Sequence, residues 1–66
     1  MDAELFIFAR RHCSEDFLAD RVCGLLYSLG IKTVADFQKA DINDILSQYG
    51  AGMVYADILR RMKGEE

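Results

Sequence analysis

Residues 26–59 read LYSLGIKTVADFQKADINDILSQYGAGMVYADIL, and the glycine pair Gly50 and Gly52 lies near the end of that stretch. Two short helical patterns end at these glycines and a longer one begins there. The stretch therefore predicts a helix, a tight hairpin and a second helix. Upstream in the same segment, Thr33 with Asp36 three residues on has the form of a capping box and opens a short helix carrying Val34 and Phe37. Asp41 with Asp44 repeats the spacing and opens the next, which buries Ile42, Ile45 and Leu46. The final helix runs over residues 53–63 and offers Val54, Ile58, Leu59 and Met62 to the core. Gly64 is expected to close it, leaving residues 64–66 as a mobile tail.

Working back from residue 26, Gly30 is placed to end a helix in the left-handed conformation, where the absence of a Cβ removes the steric penalty. That helix starts after Ser14, a candidate N-cap with Glu15 and Asp16 in its first turn. It carries an apolar stripe of Phe17, Leu18, Val22, Leu25, Leu26 and Leu29. Gly24 sits in its middle at a propensity cost of about 1 kcal/mol, which predicts a second backbone packed closely there. Before it, residues 2–12 form a helix with Asp2 and Glu4 at its start and Arg10, Arg11 and His12 at its end, the charge order a helix dipole favours. Leu5, Phe8 and Ala9 share one face, while Phe6 and Ile7 point elsewhere. This first helix is apolar nearly all round and needs cover on more than one side.

The prediction is an all-α domain over residues 1–66, a bundle of four to five short helices of helix-hairpin-helix or SAM-like type. Its core module spans residues 17–63, and the apolar helix 2–12 is added at the amino end. A strand reading of ELFIFA is set aside because nothing later supplies a partner strand.

Composition narrows the function classes. At 66 residues there is room for one domain near the lower limit for a single core. Hydrophobic residues make up 52% of the chain, more than so small a body can bury, and the excess predicts an interface. A net charge of −3 argues against a general polyanion binder. No run near the start is long enough for a secretory leader or a membrane span, which points to the cytoplasm and to reduced thiols at Cys13 and Cys23. One histidine and two distant cysteines do not make a zinc site, and no nucleophile stands beside a base. The expectation is a non-enzymatic module without metal, cofactor or small-molecule substrate.

The pattern LxxxGIxTVxDF at Leu26 to Phe37, followed by Ile45, Leu46, Gly52, Ala56 and Leu59, resembles the helix-hairpin-helix group. It is most similar to the C-terminal domain of the bacterial RNA polymerase α subunit, and the likeness covers about half the chain. That resemblance implies contact with nucleic-acid phosphate through hairpin amides at Gly50 and Gly52, with Arg21 in the place of an arginine that enters the minor groove. Arg60, Arg61 and Lys63 would add to it, and Arg10 and Arg11 form a second basic cluster. Two departures point elsewhere. Gly24 replaces an asparagine of the polymerase domain, and Met53 and Val54 stand where lysines follow the hairpin, which removes much of the electrostatic term behind nucleic-acid affinity. A surface that faces DNA in those domains is here apolar. Contact with a protein, or with a second copy through Phe6, Ile7, Met53 and Tyr55, is therefore the leading reading, within a nucleic-acid-handling or transcription assembly. Direct DNA or RNA binding through Gly50 to Gly52 is the alternative.

Overall fold

Caps more than apolar content set where the helices of this chain begin and end. A computed structural model describes residues 2–49 and 52–65, and among these there are five helices and no strand. They are α1 (Ala3–Arg10), α2 (Asp16–Ser28), α3 (Val34–Lys39), α4 (Ile42–Tyr49) and α5 (Met53–Glu65). Gly50 and Ala51, on which the predicted hairpin turns, lie outside the described residues. Around them, α4 and α5 are two separate helices that pack on one another, and the Gly52 carbonyl accepts the first bond of α5 from the Ala56 amide.

Asp2 caps α1 with its Oδ1 accepting from the Leu5 amide at 3.0 Å. The Thr33 and Asp36 capping box is present in both directions: the Thr33 hydroxyl accepts from the Asp36 amide at 3.0 Å, and the Asp36 carboxylate accepts from the Thr33 amide at 3.2 Å. Asp41 Oδ1 accepts from the Asn43 amide at 2.7 Å at the head of α4. At the end of α2, Gly30 has φ 82°. Its amide bonds to the Tyr27 carbonyl at 3.0 Å and the Ile31 amide to the Leu26 carbonyl at 2.9 Å, the paired bonds of a Schellman motif. Leu26 and Ile31, brought together by that turn, are both buried in the core.

Several expectations need correction. Ser14 is not the N-cap of α2. Glu15 holds that position with no side-chain cap bond, and Arg10 organises the turn by donating to Asp16 Oδ1 and to the Cys13 carbonyl, each at 2.6 Å. Phe17 is not in the core stripe but 53% exposed. The buried face of α2 is Ala19, Val22, Cys23 and Leu26, and at 100° per residue Phe17 falls about 160° from Ala19. Among the described residues no backbone packs on Gly24, and a Cβ built there would meet nothing within 4 Å. Val54 is 60% exposed, leaving Ile58, Leu59 and Met62 as the buried residues of α5. Gly64 does not close α5, which runs on to Glu65, and Glu65 is anchored, not mobile: its carboxylate pairs with Arg11 and lies 2.7 Å from His12 Nε2.

The core gathers Leu5, Phe8 and Ala9 of α1 with the small-residue face of α2, Phe37, Ile45 and the three buried residues of α5. Helix α1 packs against α2, α3 and α5, which makes it central, as its apolar circumference requires. Phe8 meets Phe37 edge to face, with ring centroids 5.7 Å apart at 81°. Over the Phe37 ring, Lys63 Nζ lies 4.8 Å from the centroid and donates to the carbonyls of Phe37 (2.7 Å) and Gln38 (3.3 Å). One cation of α5 thereby caps the carboxyl end of α3, adding to the bond that the Phe37 carbonyl accepts from the Ala40 amide at 3.2 Å.

Candidate functional site

The described surface offers two kinds of feature, cations and exposed apolar side chains, and the fold treats them differently. Four of the eight Lys and Arg side chains are held by carboxylates or carbonyls of the protein itself. Arg10 pairs with Asp16, Arg11 with Glu65, Arg61 with Asp57 one turn back, and Lys63 with the end of α3. Of the two basic clusters foreseen at the ends of α1 and α5, one arginine of each, Arg11 and Arg61, is brought to a common groove. Arg11, His12 and Arg61 line one groove of about 500 Å³ with Leu18, Val54 and Ile58, but Asp57 lies in that groove too. Each arginine there already holds a carboxylate, so the groove is close to neutral.

Arg21 and Arg60 differ. Both are exposed, on α2 and α5, and neither makes an ion pair among the described residues. Gly52 is exposed immediately before α5, and Gly50 lies outside the described residues. The first turn of α5 contains no acidic residue, so nothing of that sign offsets its dipole.

The apolar candidates separate equally clearly. Phe6 and Tyr55 are half-buried and pack against the core. Ile7 is 54% exposed and lines a groove with Glu4, Phe8, Arg11, Val34, Gln38 and Glu65. Met53 is 89% exposed, the most open large apolar side chain described, and with Val54 it forms an apolar ledge at the start of α5. That ledge continues into a shallow groove bordered by Ala56, Asp57 and Arg60. Phe17 and Tyr27 of α2 are also exposed and were not foreseen as surface. For Phe17 the available signal was its helical offset from the small residues Ala19 and Cys23, about 160° and 120°, since small side chains on one face mark the side on which another helix packs; Tyr27, about 40° from Cys23, carried no such signal.

The thiols are structural in setting. Cys13 and Cys23 are free and buried. Burial pushes the Cys23 thiol up to about 11, with the nearby Asp20 and Cys13 adding to the rise. Burial also raises Cys13, against the opposing pull of Arg10 and Arg61. Neither thiol has the electropositive, open setting that favours a reactive thiolate. Asp36 is displaced the other way: the hydrogen bond from the Lys32 amide, then those from Thr33, hold its carboxyl below the usual carboxylate range. Among the described residues no three histidine, cysteine, aspartate or glutamate side chains converge on a common point, and no helix is long and apolar enough to cross a membrane.

No family model matches the chain, and no characterised protein or solved structure matches it. The site is thus described by its own residues: an apolar ledge of Met53 and Val54 at the head of α5, flanked by Asp57 and Arg60.

Proposed function

We propose that this chain is a non-catalytic binding module of the helix-hairpin-helix kind whose molecular act is contact with another protein, within a nucleic-acid-handling or transcription assembly. The observation that carries the reading is the exposure of Met53 and Val54, at 89% and 60%, on the first turn of α5. Methionine and other adaptable apolar side chains are favoured at protein contacts, and an open ledge of them has no use for a phosphate backbone. The engagement of Arg11, Arg61 and Lys63 in internal contacts points the same way, because phosphate affinity needs cations free to release counterions.

A second reading, direct DNA or RNA contact through the hairpin, is favoured by one specific observation. Arg21 and Arg60 are exposed without an ion pair among the described residues, and the head of α5 bears no acid. Fluorescence anisotropy of labelled random-sequence DNA, titrated with the chain at rising salt, separates the two. The protein-contact reading expects no binding stronger than about 10⁻⁴ M at physiological salt, the weak end of non-specific association. Micromolar binding that falls steeply with salt and is lost in Arg21→Ala would establish the nucleic-acid reading in its place.

A further inference from the structure

Helix α5 presents Met53, Asp57, Arg60 and Gly64 at spacings of four, three and four residues, which puts all four on one strip of the helix about 60° wide. All four are exposed. The strip is symmetric about its midpoint, between Ile58 and Leu59: an apolar knob at one end, a position without a side chain at the other, and one acid and one base between them. Laid antiparallel on an identical strip, Met53 of one copy falls on Gly64 of the other, and Asp57 of each falls on Arg60 of the other. We propose that this face of α5 is an isologous contact with a second copy of the chain, related by a two-fold axis through the middle of the helix.

Charge, shape and exposure each support this occupant. Arg60 has no ion pair among the described residues, and Asp57, already held by Arg61 of its own helix, has a second oxygen to offer. Nothing lies within 4 Å of a Cβ built on Gly64, so the space a methionine would fill is open. A shallow groove lies along the strip itself, bordered by its Met53, Asp57 and Arg60 with Val54 and Ala56 to either side. A two-fold contact demands that one patch complement itself, and an acid and a base placed symmetrically about the axis meet that demand. The strip is about 16 Å long, which makes a small interface and hence a weak, concentration-dependent dimer.

The inference rests on the protein-contact reading and names its partner. Sedimentation velocity of the whole chain over rising concentration, with far-UV circular dichroism to confirm folding, reads it directly. Asp57→Arg and Arg60→Asp each place like charges across the axis, so each alone should weaken association by at least about tenfold. An equimolar mixture of the two should associate again, because every crossing pair is then complementary. Gly64→Leu should raise the thermal stability of the helix while weakening the dimer. A chain that stays monomeric at about 1 mM overturns the pairing and leaves protein contact to be judged by the DNA titration. Association that ignores both charge variants overturns it as well, and assigns self-contact to another face.

Discussion

Removing the ammonium of Lys63 tests the packing of α5 on α3 most directly. Lys63→Met keeps an unbranched apolar side chain and deletes the charge that donates to the Phe37 carbonyl at 2.7 Å and lies 4.8 Å from the Phe37 ring centroid. A hydrogen bond involving a charged group contributes about 1.5–3 kcal/mol, and the cation over the ring about 0.5–2 kcal/mol. The two overlap, since one ammonium makes both, and the methionine recovers some apolar burial. The net loss expected is about 2 kcal/mol. In a domain of this size each kcal/mol moves the midpoint by about 4–8 °C, so Tm should fall by about 8–16 °C. Total stability for such a chain is about 3–10 kcal/mol, which leaves the variant foldable. Phe37→Leu supplies the second arm, losing the edge-to-face contact with Phe8 and the ring beneath Lys63 for about 1–2 kcal/mol. Urea denaturation of the two single variants and the double should close a cycle with a coupling of about 0.5–1 kcal/mol. A Lys63→Met variant within about 0.5 kcal/mol of the parent, or a cycle with no coupling, refutes the tie.

Four further outcomes are open to simple measurement. Thr33→Ala should cost about 1 kcal/mol by urea denaturation through loss of the α3 cap. Because the folded-state carboxyl of Asp36 is lowered, its contribution is complete above the ordinary value of 3.8 and is lost as pH falls through the lowered one, so Asp36→Asn should flatten acid unfolding over the interval between the two. Cys23 is raised from 9.0 to about 11, so its contribution is complete below 9.0 and is lost as pH climbs toward 11; native protein titrated with a thiol reagent at neutral pH should label Cys23 no faster than it unfolds. Gly24→Ala, at an exposed helical site with open space around it, should stabilise the chain by about 0.5–1 kcal/mol in thermal denaturation, and a loss of stability would show that α2 has a close neighbour after all.

What could be read from the chain was what is decided within four or five residues. Thr33 with Asp36, Asp41 and Gly30 each act through hydrogen bonds to amides or carbonyls a few positions away, so their spacing already contains the geometry. Ser14 was misread because its rival lay outside that window. Arg10, six residues from Asp16, decides how α2 begins, and a guanidinium of that reach leaves no mark in a capping pattern. Gly64 was misread for the same reason on a larger scale, since the partners that carry α5 past it, Arg11 and His12, lie more than fifty residues earlier. Phe17 was misplaced by size: ranking candidates by bulk favoured a large ring over Ala19 and Cys23, although α2 packs through its small face.

The same long-range pairing explains why the basic residues were the least legible part of the candidate site. On an isolated helix, Arg61 and Lys63 look like a cationic end available to any anion. In the folded chain Arg61 is held by Asp57 and Lys63 reaches across to α3, while Arg11 has been claimed by the far end of α5. A body this small has a high ratio of surface to core, so its long charged side chains are used to close helix ends and pin the terminus. Apolar side chains on the first turn of α5 are not used in this way. Met53 adds nothing to the core that Ile58, Leu59 and Met62 do not already supply, and its exposure is a cost in water. Position and cost together make the head of α5, more than the cations around it, the surface on which the proposed protein contact is best tested.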